Sequence, residues 1–215
     1  MLYHVCVLFA LAFGWIAWRR CSNAYTLPCP AWLAWMVELD NPFAKAHQAR
    51  TIIHALPYKK GMSILDVGCG PGRVLVPLAQ HVVGMAGQVT GLDVQAEMLE
   101  KAATKAKQQH VNNADFIHGT IDAVPLDRHY DAILLVCVLG GIPRDERAHV
   151  LKKIISHLKT GGIMSVTETI FDPHFQSYRV VAHLMEDAGL HQILFVGNRF
   201  AYTAHFACSE EKVMG

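Results

Sequence analysis

The first 18 residues, Met1 to Trp18, contain no Asp, Glu, Lys or Arg. That absence argues against a solvated loop, and as a helix such a stretch would reach ~27 Å, about the hydrocarbon thickness of a bilayer. Arg19-Arg20 follow at once, with Trp15 and Trp18 just before them. The pattern predicts a single-pass anchor over residues 1–20, with the amino terminus outside and the rest of the chain on the cytoplasmic side of the membrane. A cleaved signal peptide would want positive charge ahead of the apolar run and a small-x-small site behind it, and neither is clear. A buried core helix is the remaining alternative. Charge is scarce elsewhere too: 17% of residues are Asp, Glu, Lys or Arg and the net charge is +1. With no basic run interleaved with aromatics, no nucleic-acid partner is expected. The six cysteines (Cys6, Cys21, Cys29, Cys69, Cys137, Cys208) form no C-x-x-C pair, and the 13 histidines form no H-E-x-x-H. No metal site follows from these spacings, and a reduced compartment accounts for the free thiols.

What is present is apolar: 52% of the residues are hydrophobic, enough in 215 positions for one good core. Ser22 to Pro30 carries Pro28 and Pro30 and reads as linker, so residues 21–41 are expected to form a linker or interfacial segment and 42–215 the main domain. Trp32 and Trp35 share a helical face that either rests in a headgroup layer or covers the core. Asn41-Pro42 predicts a helix start, with Phe43, Ala46, Ala49, Ile53 and Leu56 at helical spacing and Pro57 as the stop.

The densest signal is Ile64-Leu65-Asp66-Val67-Gly68-Cys69-Gly70-Pro71-Gly72-Arg73, a buried strand that runs into three alternate glycines and then a helix from Arg73. Such a turn lets a ligand approach the main chain closely. Dinucleotide folds space their last two glycines more widely, so NAD is disfavoured. The segment resembles the first motif of class I S-adenosylmethionine-dependent methyltransferases, closest in spelling to the ubiquinone/menaquinone-biosynthesis type. Val89-Thr90-Gly91-Leu92-Asp93-Val94 is a second strand ending in an acid suited to ribose hydroxyls. Phe116 to Leu126 resembles the third-strand region, with Thr120 where the family usually has Asp. Tyr130-Asp131 opens the fourth-strand run, and Leu158 to Glu168 resembles the passage into strand five.

The resemblance implies an α/β, doubly wound, mostly parallel seven-stranded Rossmann-like sheet with a C-terminal antiparallel hairpin, preceded by the hydrophobic N-terminal helix. It implies S-adenosylmethionine as cofactor, held by Asp66, Gly68, Cys69, Gly70, Gly72, Asp93, Val94, Thr120, Ile121 and Val136. Helices are expected over 95–109 (Met98, Leu99, Ala102, Ala103 and Ala106 inward), 144–159 and 176–188, the last stopped by Gly189, with strands over 190–196 and 200–208.

Methyl transfer from a sulfonium needs an acceptor held in line and water excluded. A carbon acceptor would also need a base, for which Glu168 and His174, beside strand five, are the candidates. Cys137 is read as a packing residue. The expected activity is methylation of a small or lipophilic acceptor, a bilayer-resident one included; a non-catalytic adenosine-ligand module tethering a partner at the membrane and an NAD-dependent oxidoreductase are the alternatives.

Overall fold

The computed structural model describes residues 13–14, 16–17, 20–21 and 28–208. The expected anchor therefore falls largely outside the described residues, and among those described no helix is long and apolar enough to cross a membrane.

Seven strands, β1 (Ser63–Val67), β2 (Gln88–Asp93), β3 (Ala114–His118), β4 (Tyr130–Val136), β5 (Leu158–Thr169), β6 (Leu190–Asn198) and β7 (Ala201–Cys208), form one sheet. Their order is β3-β2-β1-β4-β5-β7-β6. The pairings of β1 with β2 and β4, of β2 with β3 and of β4 with β5 are parallel, whereas β7 lies antiparallel to β5 and β6. Continuous apolar runs such as Ile133-Leu134-Leu135 suit strands covered on both faces. One core cluster centres on Leu65, Ile133, Met164 and Phe206, the other on Ile64, Leu75, Val89 and Leu134. Strand order reverses between β1 and β4, which opens a crevice at their carboxyl ends.

Within residues 28–208 the α-helices are α1 (Ala34–Glu38), α2 (Ala49–Ala55), α3 (Leu75–Leu78, continued by a π-turn over Ala79–Val83), α4 (Ala96–Gln108), α5 (Arg147–Ser156) and α6 (Tyr178–Asp187). Several differ from expectation. The helix predicted after Pro42 begins only at Ala49: Asn41 Oδ1 accepts the Phe43 amide at 2.9 Å in a local turn, and Asp40 Oδ1 accepts the Ala49 amide at 3.0 Å. Phe43, expected inward, is 87% exposed. The helix expected from Arg73 starts at Leu75, after a turn in which the Cys69 carbonyl accepts the Gly72 amide at 3.1 Å. On α4, Met98, Leu99, Ala102 and Ala106 are buried but Ala103 is exposed. The predicted 144–159 helix is shorter at both ends: the Pro143 carbonyl accepts the Glu146 and Arg147 amides in a turn, and Leu158 already belongs to β5.

Candidate functional site

β1 delivers Asp66 to the crevice, and Gly68, Gly70 and Gly72 then turn the chain with φ of 68°, 52° and 77°. A Cβ on Gly68 would meet Val138 Cγ2 at 2.5 Å, so the turn needs glycine for both conformation and space. The Leu92 carbonyl accepts the Gly68 amide at 2.7 Å and the Cys69 amide at 3.2 Å, binding the turn to the end of β2. Asp93 completes the stitch: Oδ2 accepts the Gly70 amide at 2.8 Å and Oδ1 the Gln95 amide at 2.9 Å. Each of its oxygens retains a lone pair for a further donor. Burial raises the Asp93 carboxyl, and the Gln95, Gly70 and Val94 amides hold that rise in check.

Asp66 differs. It is buried, and its Oδ1 has no hydrogen-bond partner among the described residues. Burial, reinforced by the Asp93 charge and opposed by Arg73, pushes it up to about 7. A glycine-floored turn beside two acids, one with an unspent oxygen, suits a ligand that carries positive charge and hydroxyls. Val94 is half-exposed at the end of β2, where the His118 Nε2 ring nitrogen bonds its carbonyl at 3.1 Å. The Cys69 thiol lies against Gly91 of β2 and is buried in the second core cluster. Val136 packs at the end of β4 against the second core cluster. Thr120 is exposed at a turn where its carbonyl accepts the Ala123 amide, and the Ile121 side chain is buried in the first core cluster.

Over this crevice runs a strap, residues 29–48, whose role sequence reasoning missed. Gln95 Nε2 donates to the Cys29 carbonyl at 2.9 Å, Lys105 pairs with Glu38, and Arg73 Nη1 donates to Asp40 Oδ1 and to the His47 carbonyl, both at 3.0 Å. Arg73 Nη2 donates to His47 Nε2 at 3.2 Å. Burial and then the Arg73 charge push His47 down to about 3, leaving its ring neutral as that bond requires. Thr203 Oγ1 anchors the far end by donating to the Ala46 carbonyl at 2.8 Å. Val37 of α1 lies 3.9 Å from where a Gly70 Cβ would stand, so the strap roofs the glycine turn.

The second group lies at the carboxyl ends of β4 and β5. Glu168 is buried; its Oε2 accepts the Gln176 amide at 3.0 Å and its Oε1 has no hydrogen-bond partner among the described residues. Burial raises its carboxyl well above the ordinary range, against the pull of that amide and of Arg147. His174 is buried in the same loop, its amide donating to Asp172 Oδ1 at 2.7 Å. Gln176 joins the parts: Nε2 donates to the His174 carbonyl at 2.6 Å, Oε1 accepts from Arg147 Nη1 at 3.0 Å, and its carbonyl accepts from Tyr202 Oη at 2.9 Å. Arg147 also donates to the carbonyls of Ile142 at 2.9 Å and Gly140 at 3.2 Å, tying the loop after β4 to the loop after β5. Cys137 has a left-handed backbone, φ 57°, and burial raises its thiol, which makes it a poor nucleophile. The structure thus brings Glu168 and His174 into one network with Arg147 and Gln176, two residues that carry no motif in the sequence. Among the described residues no His, Cys, Asp or Glu group is arranged to hold a metal ion.

Residues 64–162 match a family model described as a methyltransferase domain. A demethylmenaquinone methyltransferase of Lactococcus lactis is 36% identical over 110 residues, 51% of this chain and 42% of that protein. An arsenite methyltransferase of Aquipseudomonas alcaligenes is 30% identical over 179 residues, 80% of this chain and 49% of that protein. The chain spans about half the length of the curated relatives it matches. Among solved structures, a SAM-dependent methyltransferase from Aquifex aeolicus superposes with a TM-score of 0.71 at 21% identity, covering 83% of this chain and 98% of that one, a likeness of fold.

Proposed function

We propose that this chain, a member of the class I S-adenosylmethionine-dependent methyltransferases through its residues 64–162, moves a methyl group to a small or lipophilic acceptor. The observation that carries this reading is Asp66, a buried carboxylate beside a glycine turn with one oxygen lacking a partner among the described residues. Burying such a group is unfavourable unless a partner compensates, and a cationic ligand is the fitting one. When bound, S-adenosylmethionine supplies a methyl group made electrophilic by a positive sulfur, with no need of a covalent enzyme intermediate.

The chain's own residues would do the rest. Asp66 would face the cationic part of the cofactor, the backbone of 68–72 would let it approach, and Asp93 would accept from ribose hydroxyls while still holding the Gly70 and Gln95 amides. Val94 would border the nucleoside. Thr120 and Ile121 would contribute through backbone or rim contacts only. The strap would exclude water from above, and the Arg147–Gln176 network would fix the loop that lines the acceptor side. Where the acceptor atom must lose a proton, Glu168 in its ionised form would receive it, at the Oε1 oxygen that has no hydrogen-bond partner among the described residues. A quinol precursor, by analogy with the Lactococcus relative, is the acceptor class we favour. Residues 1–20 would then anchor the domain on the cytoplasmic side of the membrane that holds such an acceptor.

Parallel calorimetric titrations with S-adenosylmethionine, its demethylated product and NAD test the cofactor. We expect the first two to bind and NAD not to; NAD binding alone would overturn the reading. Transfer of a radiolabelled methyl group from S-adenosylmethionine to vesicle-borne quinols, compared with water-soluble thiols and amines, tests the acceptor class.

A further inference from the structure

The side of the strap that faces away from the crevice carries large apolar residues at helical spacing. Trp32 is 75% exposed, Trp35 59%, Met36 46% and Leu39 60%, and Phe43, four residues beyond Leu39, is 87% exposed. Positions 32, 35, 36 and 39 are related by three, four and seven residues and form one stripe of α1 and its flanks. The opposite side of the same segment holds buried Ala34, Val37 over the turn, and Glu38 paired with Lys105. Glu38 and Asp40 are therefore spent on the domain, through Lys105 and Arg73, and positions 32, 35, 36 and 39 of the outward stripe carry no charge. A folded protein rarely presents such a contiguous patch to water without a use for it.

We infer that this stripe is a lipid-contacting face, by which the strap lies in the headgroup layer of a bilayer. Two tryptophans flanked by Met, Leu and Phe are the composition of an interfacial contact, with aromatic bodies in the apolar boundary and indole N–H groups able to meet headgroup oxygens. The chain upstream favours a bilayer over a protein partner. The uncharged stretch 1–18 ends at Arg19-Arg20, and the eight residues from Cys21 to Pro28 separate that pair from the strap. Eight residues extend at most ~29 Å. A membrane that takes up the uncharged stretch therefore holds the stripe within reach of its surface. The face also backs directly onto the roof of the cofactor crevice, so a strap seated in lipid would place that crevice at the bilayer surface.

All four tryptophans of the chain lie at positions 15, 18, 32 and 35, which makes a direct test possible. In the full chain carrying Trp15→Phe and Trp18→Phe, fluorescence reports only Trp32 and Trp35. We expect their emission to shift to shorter wavelength on phosphatidylcholine vesicles, and to be quenched more by lipids brominated near the headgroup than by lipids brominated at the chain ends. Emission that is unchanged on vesicles to which the protein demonstrably binds would overturn the inference, because the anchor would then hold the chain while the stripe faces elsewhere. A shift that appears without lipid and grows with protein concentration would also overturn it, and would assign the stripe to a second copy. Absence of any vesicle binding would overturn it as well.

Discussion

Arg73 Nη1 lies 3.0 Å from Asp40 Oδ1, a contact between residues 33 positions apart that fastens the strap to the first turn after β1. The Arg73 side chain is 8% exposed and the Asp40 side chain 46%. The half-exposed ion pair is screened and contributes little by itself. Arg73 matters more as a fork, because it also donates to the His47 carbonyl and to the neutral His47 ring. The same residue is thus part of the glycine turn in sequence and the main fastener of the roof in space.

Replacing it isolates that role. Arg73→Ala should lower stability by about 1–3 kcal/mol, the range for hydrogen bonds to charged groups, as measured by urea unfolding. Amide exchange over residues 40–48 should accelerate, and S-adenosylmethionine should bind more weakly. Arg73→Lys should rescue little, since a point charge cannot serve three partners as a planar guanidinium does. Parent-like exchange over the strap in Arg73→Ala would show that the other ties suffice.

These fasteners mark the limit of what the chain displays as sequence. The strands were legible because parallel, doubly covered strands demand unbroken apolar runs, and Ile64-Leu65 and Ile133-Leu134-Leu135 provide them. The alternate glycines announced the turn, and Gly189 the end of α6, where its φ is 84°. By contrast, Asp40 serves the Ala49 amide nine residues away, and Gln95 serves the Cys29 carbonyl 66 residues away. Side-chain bonds of that span leave no periodic trace. The same holds for Arg147 and Gln176, ordinary residues on a helix and a loop until the fold brings the ends of β4 and β5 together. Asn41-Pro42 opens a local turn that is followed by a single 3-10 turn at Lys45–His47 and by an α-helix only from Ala49.

Cofactor affinity should depend on pH through Asp66. Its carboxyl is pushed up to about 7, so below that pH the free protein holds a proton there. A cationic ligand favours the carboxylate, and binding must therefore release that proton. S-adenosylmethionine affinity should rise between pH 6 and pH 7.5 and then level off. Calorimetry at pH 6.5 in two buffers of different ionisation heat should show net proton release. Asp66→Asn should bind more weakly and lose both the slope and the release. An affinity independent of pH in the parent protein would place the cation away from Asp66.

Glu168 governs stability with the opposite consequence for mutation. Its carboxyl is raised well above the ordinary value by burial, so the stability it confers is complete below the unfolded-state value near 4.5 and is lost as pH rises toward its folded value. Glu168→Gln keeps an oxygen for the Gln176 amide and removes the titration. The variant should match the parent at pH 4 and gain on it at pH 8 in urea unfolding, while methyl transfer to an acceptor that must lose a proton falls. A variant less stable than the parent at pH 8 would mean that the charged form is the one the fold favours.

Gly140 offers a way to separate the two halves of the crevice. A Cβ there would stand 1.8 Å from the His174 carbonyl oxygen and 2.6 Å from the His174 Cβ, so main chain meets main chain and no side chain can swing aside. Gly140→Ala must therefore push the loop after β4 away from the loop that carries His174, straining the Arg147 bonds that join them. Overpacking of this kind typically costs about 1–3 kcal/mol, which thermal unfolding would register. The glycine turn at 68–72 is fastened to the β2 side by Leu92 and Asp93, and meets the loop after β4 at Val138 rather than at Gly140. Methyl transfer should accordingly fall steeply in Gly140→Ala while S-adenosylmethionine still binds with nearly parental affinity. Gly68→Ala should do the reverse at the binding step, because its Cβ would meet Val138 at 2.5 Å from a left-handed backbone on the cofactor side. Equal losses of cofactor affinity in both variants would show that the two loops act as one site.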